Sequence, residues 1–222
     1  MVAALLLVLA LPTPETVAAE YAIAAEQSFF AVLTHKAGIG SGLAHDHLIV
    51  ATSPAVKLDF DAAHPEQTTF TFTVATEALE IDAPAARSAR KGRFRELGIH
   101  SGDLPPVSES DRRKVRAAML GEDQLDSARF PQIRASVTGV SRREAKPSAE
   151  WTVDLQLTIR GKTVERSLPA TWSAEGERLT AEIVGEFLFS EFGIEPYSTM
   201  LGAIRNDDRF HLFVQILAQA AH

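Results

Sequence analysis

Histidines are the side chains of this sequence whose spacing most directly suggests site chemistry. His45, Asp46 and His47 are consecutive, and His35 precedes them by a short, glycine-rich stretch. On an extended strand His45 and His47 point to the same side, and a hairpin would bring His35 beside them. Three imidazoles arranged in this way could bind Zn²⁺ or Cu²⁺. The same residues also fit a simpler role, in which polar side chains at the mouth of a pocket hydrogen-bond the polar part of a ligand.

We expect the simpler role, because a His-x-His pair without an identifiable third ligand is found in many more loops than metal sites. Other catalytic arrangements are absent from the sequence. The chain has no cysteine, which excludes disulfides, thiolate nucleophiles and cysteine-based metal sites. It has no Gly-x-Ser-x-Gly motif, and the glycine-rich stretch 38–42 does not resemble a phosphate-binding loop. We therefore predict a protein that is not an enzyme and needs no cofactor.

Charge narrows the range of partners. The formal net charge is −7, which argues against binding to nucleic acid. A basic stretch nevertheless lies within the long segment 81–130; its residues are Arg87, Arg90, Lys91, Arg93 and Arg95. We predict that this stretch is a solvated loop or a flexible lid. The alternative is transient contact with anionic head groups at a membrane surface.

The N-terminus predicts export. An apolar run over residues 2–11 is followed by prolines and by small residues that end at Ala19, as in a secretory signal peptide. The run is too short to span a bilayer as a helix. We therefore predict a signal peptide over residues 1–19, a mature domain over 20–222, and a periplasmic or secreted location.

Alternation of apolar and polar residues dominates the mature chain. Phe70, Phe72 and Val74 alternate with threonines, as in a strand with one buried face. Similar or shorter runs cover residues 28–34, 48–52, 55–60, 133–140, 151–159, 164–172, 179–189 and 210–216. The segments Arg160-Gly161-Lys162 and 174–177 are typical of hairpin turns between such strands.

Eight or nine strands that each have one apolar face need a shared interior, which predicts an all-β barrel or sandwich. Only one segment has a convincing helical period. Ser108 or Ser110 would cap this short helix, and Gly121 would end it. The helix lies inside the long connection 81–130. If the chain closes into a barrel of eight strands, the interior can hold one slender ligand.

Four segments, taken in order, resemble the YceI-like family of lipocalin-like polyisoprenoid-binding proteins. The first is the opening, Tyr21-x-Ile23 followed by Ser28, Phe30 and Val32. The others are QLDSARFPQI at 124–133, LTIRGKTVERSLP at 157–169 and FSEFGI at 189–194. The last segment has one residue fewer between its Ser and Phe than the family signature. The chain also lacks the family's Arg-Asp-x-His-Leu segment, so no head-group contact is transferred from it.

The resemblance implies an antiparallel, eight-stranded, lipocalin-like β-barrel that takes up a long-chain isoprenoid or a similar amphiphilic lipid, often as a periplasmic homodimer. On the apolar stripes we expect the ligand contacts to be Phe30, Val32, Phe70, Phe72, Val74, Leu155, Leu157, Phe187 and Phe189, with His45 and His47 at a polar mouth. Two alternatives stay open at this point. One is a metal-binding protein or metal-dependent enzyme that uses His35, His45 and His47, and the other is an interaction module with a solid core.

Overall fold

A computed structural model describes residues 21–24, 26–100, 104–143 and 151–220, so the predicted signal peptide lies outside the described residues. This part of the chain forms twelve β-strands and two α-helices. The strands are β1 Tyr21–Ile23, β2 Phe29–Ala37, β3 Leu48–Ala51, β4 Ala55–Asp59, β5 Thr69–Ala75, β6 Leu79–Ile81, β7 Gln132–Arg142, β8 Trp151–Ile159, β9 Lys162–Glu175, β10 Arg178–Leu188, β11 Ser198–Thr199 and β12 Ile204–Ala220; the helices are α1 Pro84–Glu96 and α2 Glu109–Leu120.

The strands form one antiparallel sheet that curls around an apolar interior. Its order is β4-β5-β7-β8-β9-β10-β12-β2-β3-β6, and the short strands β1 and β11 pair with β12. The curling is seen where Phe30 on β2 and Phe72 on β5 meet, because their ring centroids are 5.0 Å apart although many strands separate them in the sheet. In the described ranges the end strands β4 and β6 do not pair with each other, so the sheet is a half-barrel.

The β8–β9 hairpin shows how local sequence sets the register. Arg160 and Gly161 both have positive φ angles, 51° and 72°, and Ile159 pairs with Lys162 across the turn. Such a two-residue turn matches the right-handed twist of the strands it joins. The predicted hairpin is confirmed.

Helix α1 covers part of the outer face of the sheet and creates a second apolar layer. Phe94 on α1 is fully buried against Phe213 on β12, with ring centroids 5.3 Å apart. Leu33 on β2 and Leu48 on β3 are also fully buried in this layer. The fold therefore has an inner core inside the curl and an outer core between α1 and the sheet.

Two fold predictions are wrong in detail. The structure has twelve strands instead of the eight that the resemblance implies. The nine alternating runs do not include β1, β6 and β11, which have only two or three residues and are too short to show alternation. It also has two helices in the long connection instead of one. The basic stretch predicted as a loop or lid is helix α1, and its Arg87 is buried.

The second helix confirms its prediction. Ser108 is the N-cap of α2, where its hydroxyl oxygen accepts a hydrogen bond of 3.1 Å from the amide of Asp111. The helix ends at Leu120, directly before Gly121. In the described ranges, neither helix has the length and hydropathy needed to cross a lipid bilayer.

Candidate functional site

The inner core is incompletely filled and encloses an apolar cavity of about 130 Å³. Among the described residues, Gln124 is the only lining residue whose side chain forms ordinary hydrogen bonds, and none of them contributes a charged side chain to the wall. The lining residues are Phe30, Ala31, Val32, Ile49, Ala51, Phe70, Phe72, Val74, Leu79, Met119, Gln124, Leu125, Ile133, Ala135, Leu155, Leu157, Ile159, Ile183, Phe189, Ile194, Phe210, Leu212 and Val214. This wall can hold a hydrocarbon but offers no counter-charge to an ion.

Strand parity explains why these residues line the cavity. On β5 the side chains of Phe70, Phe72 and Val74 are buried inside the curl, whereas the alternate residues Thr69 and Thr71 are exposed. Because side chains alternate between the two faces of a strand, every second residue contributes to the wall. Sheet register then brings the stripes of neighbouring strands together, as where Phe72 pairs with Ala135 on β7.

One end of the cavity is closed by two non-strand segments, 119–125 and 189–195. Met119 and Leu125 line the cavity from the first segment. Gln124 Nε2 donates a 3.0 Å hydrogen bond to the carbonyl oxygen of Glu195, which joins the first segment to the second. Arg160 also bridges them, since it donates to the carbonyl oxygens of Gly193 at 3.2 Å and Glu122 at 2.9 Å. We call this closure, residues 119–125 and 189–195, the mouth.

Most of the predicted apolar contacts line the cavity. These residues are Phe30, Val32, Phe70, Phe72, Val74, Leu155, Leu157 and Phe189. Phe187 does not line it but is fully buried, with its ring stacked on that of Phe210 at a centroid distance of 5.8 Å. Sequence reasoning missed the contributions of Leu79 and Leu125, because one lies on a three-residue strand and the other in a turn.

The two histidines expected at a polar mouth do not line the cavity. His47 Nδ1 lies 2.6 Å from Oδ2 of Asp82, a fully buried carboxylate that also accepts from the Leu48 amide at 2.8 Å and from Arg87. Burial by itself would raise the pKa of Asp82, but the hydrogen bond from His47 and the other donors hold this pKa below its ordinary value. His45 Nδ1 is buried without a hydrogen-bond partner among the described residues. His47 therefore belongs to a structural network.

His35 does not join His45 and His47 either. Its Nε2 lies 2.7 Å from Nδ1 of His211, and its ring stacks on His100 at a centroid distance of 6.4 Å. Burial lowers the pKa of both His35 and His211, which favours neutral imidazoles that share one hydrogen bond. In the part of the chain that the structure describes, no group of three or more His, Asp or Glu residues is placed to hold a metal ion.

Comparison with known proteins agrees with the architecture. The profile of a family described as YceI-like domain matches residues 21–216. Among curated proteins, no sequence matches this chain.

Two solved structures with TM-scores above 0.5 share its fold. BcnA from Burkholderia cenocepacia superposes with a TM-score of 0.61 at 14% identity, covering 88% of this chain and 99% of that one. The YceI protein of Campylobacter jejuni gives 0.53 at 10% identity, covering 78% and 85%. A polyisoprenoid binding domain from Saccharophagus degradans, implicated in plant cell wall breakdown, gives 0.49 at 10% identity, covering 91% and 99%.

Proposed function

We propose that this chain, which belongs to the YceI-like family, is a non-enzymatic carrier that binds the hydrocarbon chain of an isoprenoid-type or other long-chain amphiphilic lipid inside its curled sheet. The observation that carries the proposal is the apolar cavity, whose wall has one polar side chain and no charge. Each CH₂ group removed from water contributes about 0.8 kcal/mol, so such a wall needs few polar contacts to bind a lipid chain.

The size of the cavity indicates that binding requires movement at the mouth. At about 130 Å³ it is similar to a cavity that admits one benzene ring and smaller than typical ligand pockets. A long chain would therefore displace side chains from the interior. Met119 and Leu125 are suited to move, because their segment lies outside the strand pairing of the sheet and is joined to segment 189–195 through the side chains of Gln124 and Arg160.

Extraction of the purified protein into organic solvent, followed by mass spectrometry, tests the proposal. We expect a co-purified lipid in near-stoichiometric amount. Ala135→Phe should reduce that amount, because Ala135 lines the cavity and a larger side chain would fill it. Ser136→Phe is the matched control, since the neighbouring residue projects from the opposite face of β7. Absence of lipid from the wild-type protein, together with no uptake of added long-chain lipid, would favour an interaction module with a solid core.

We further propose that the carrier works outside the cytoplasm, which rests on the predicted signal peptide. N-terminal sequencing of the protein from the periplasm or culture medium of a bacterial host should find a start near Glu20. A soluble cytoplasmic species that retains residues 1–19 would contradict this location.

Exposed aliphatic side chains support lipid exchange with a membrane at the mouth end. Ile39 and Leu201 have relative exposures of 99% and 108%, and they lie in the β2–β3 connection and directly after β11. Ala37 at the end of β2 pairs with Arg205 at the start of β12, and the end of β10 also pairs with this part of β12. Because β9 runs antiparallel to β10, the Arg160-Gly161 turn before β9 lies at the same end of the sheet. Sedimentation with phosphatidylcholine vesicles should decrease in the Ile39→Ser/Leu201→Ser double variant; equal sedimentation of variant and wild type would contradict the proposed contact.

A further inference from the structure

The interior contains a second, smaller cavity beyond the first. It has a volume of about 70 Å³ and is lined by both tryptophans, Trp151 and Trp172, together with Phe60 and Leu179. Its wall is almost entirely apolar and includes no charged side chain. The indole Nε1 of Trp172 is buried and has no hydrogen-bond partner among the described residues. Trp172 thus lines the second cavity and carries a buried N–H group for which the described residues provide no acceptor.

The two cavities lie along one path through the inner core. Phe70 and Ile183 line both of them, so the partition between the cavities includes these two side chains. Strand β8 follows the path, since Trp151 at its start lines the second cavity while Leu157 and Ile159 at its end line the first. A linear chain that enters at the mouth and displaces the partition would reach Trp172.

The chemistry of the second cavity restricts what could occupy its far end. A buried N–H group without an acceptor is unfavourable, and an oxygen atom of a ligand would satisfy it. A carboxylate or phosphate is excluded because it would be buried without a counter-charge. An aromatic ring is disfavoured by size, because a ring needs roughly the 150 Å³ of a cavity that binds benzene and would displace more side chains than a small group would. A small neutral group that contains an acceptor oxygen meets all three conditions.

We propose that the second cavity binds the neutral, oxygen-bearing end of a linear lipid, such as an alcohol, aldehyde or ketone. The oxygen accepts a hydrogen bond from Trp172 Nε1, and the hydrocarbon tail extends past Phe70 and Ile183 into the larger cavity. The ligand is thus bound head first, with its tail towards the mouth. This inference rests on the proposed carrier function and specifies the ligand class and its direction.

Tryptophan fluorescence provides a direct test, because the chain has only two tryptophans and both line the second cavity. Bromine quenches indole fluorescence on close approach. Two isomeric probes place it at opposite ends of the same chain, 2-bromododecan-1-ol beside the hydroxyl group and 12-bromododecan-1-ol at the tail. Head-first binding predicts strong quenching by 2-bromododecan-1-ol and weak quenching by 12-bromododecan-1-ol. Equilibrium dialysis measures the binding of both probes independently of the quenching.

The donor is tested with a matched pair of tryptophan variants. Trp172→Phe keeps an aromatic ring but removes the N–H group, so the affinity for dodecan-1-ol should fall by about three- to tenfold, the factor typical of one neutral hydrogen bond. The affinity for 1-bromododecane, which has no hydroxyl group, should not show this loss. Trp151→Phe is the control, and it should not distinguish the two probes. Each variant retains one tryptophan, so quenching can still be measured.

The outcomes separate this inference from the carrier function. If dialysis shows that neither bromo-alcohol binds, the proposed carrier function is overturned for lipids of this class, and the head-first inference falls with it. If both bind but neither quenches, the second cavity is not used, while the carrier function stands. Stronger quenching by 12-bromododecan-1-ol would overturn the head-first direction. An equal loss of affinity for dodecan-1-ol and 1-bromododecane in Trp172→Phe would overturn the hydrogen bond.

Discussion

The two faces of strand β2 show the difference between the inner and outer cores. Phe30 and Val32 face the curl and line the cavity. Leu33, on the opposite face, is fully buried in the outer core beneath α1. The outer core is closed by aromatic contacts, with Phe213 lying 5.3 Å from Phe94 and 5.9 Å from Phe29 between ring centroids. Because protein interiors are normally packed without large voids, the unfilled space inside the curl supports the binding site proposed there.

The two faces differ in electrostatics as well as in packing. The outer core is bordered by a buried ion pair between Arg87 and Asp82 and by the imidazole pair of His35 and His211. The described residues that line the inner cavity include no charged side chain. Ligand content should therefore depend on the inner face, whereas the response of stability to pH and to loss of charge should come from the outer face.

A charge placed on the inner face should have the largest effect. Phe72→Asp would bury a carboxylate without a partner in the cavity wall, which costs several kcal/mol or forces its protonation. We expect the protein to unfold or to lose its lipid, as measured by urea denaturation and mass spectrometry. Thr71→Asp is the control, because Thr71 is exposed and surface changes usually stay within about 0.5 kcal/mol. The opposite order of effects would show that the cavity wall is assigned to the wrong face.

Removing a charge from the outer face should have a slightly smaller effect. Arg87→Met would leave the carboxylate of Asp82 buried without its cation, a change that typically costs about 3–5 kcal/mol. It would also remove the hydrogen bonds that Arg87 donates to the carbonyl oxygens of Asp46 at 2.8 Å and Pro105 at 2.9 Å. We expect a lower free energy of unfolding with unchanged lipid content in the protein that remains folded.

The matched control for Arg87 lies on α2. Arg113 pairs with Glu109, but both side chains are exposed, so Arg113→Met should change the free energy of unfolding by less than about 1 kcal/mol. If Arg87→Met and Arg113→Met lowered the free energy of unfolding equally, the buried Arg87–Asp82 ion pair would not stabilise the packing of α1 more than an exposed pair does.

The same contrast explains what could be predicted from the sequence. All nine alternating runs form strands, because apolar and polar residues alternate with a period of two in a strand that has one buried and one solvent-exposed face. Helix α1 was missed because its arginines resemble a solvated loop, although Arg87 is buried and Arg90 donates to Gln215 at 2.6 Å. A usable signal lay in β2 and β12, where Leu33 and Phe213 are apolar on the face opposite the cavity. Such strands need a covering element on both faces.

The histidines could not be placed from sequence for a related reason. The prediction places His45 and His47 on one face of a strand, but both precede β3 and lie outside any strand. The sequence pattern also does not identify the partner of each side chain. His47 is fixed by Asp82, which follows β6, and His35 by His211 on β12. Both partners are distant in sequence, and they become visible only once the strand order is known.

The histidine pair should give the outer face a dependence on pH. Burial lowers the folded-state pKa of His35 and His211 below the ordinary value of 6.5. The unfolded chain therefore binds protons more readily, so the free energy of unfolding is fully retained above about pH 6.5 and falls as the pH drops below it. His211→Gln should make this decrease shallower in denaturation curves recorded between neutral and mildly acidic pH. Nearby Asp46 and Glu186 stabilise the protonated forms and limit the size of the effect.

His64 is the control for this dependence. It is exposed, and its hydrogen bond to Asp61 raises its pKa, so its contribution has the opposite sign and is lost as the pH rises through the folded-state value. His64→Gln should therefore not make the acid-side decrease shallower; loss of its opposite contribution should leave the decrease equal or slightly steeper. A decrease that persists unaltered in His211→Gln would assign the pH dependence to carboxylates instead.

The smallest expected effect concerns α2, which contributes Met119 to the cavity wall but lies outside both cores for most of its length. Ser108→Ala removes the N-cap hydrogen bond to the amide of Asp111, which typically costs about 1 kcal/mol. Hydrogen exchange should then become faster in the first turn of α2 and stay unchanged in α1. Ser110→Ala is the matched control, because Ser110 is exposed within the helix, where alanine is the better helix former and should slow exchange slightly. Because α2 reaches the mouth, faster hydrogen exchange that extended to Met119 would connect the N-cap to opening of the cavity. Equal exchange rates in Ser108→Ala and Ser110→Ala would show that the cap does not stabilise this helix.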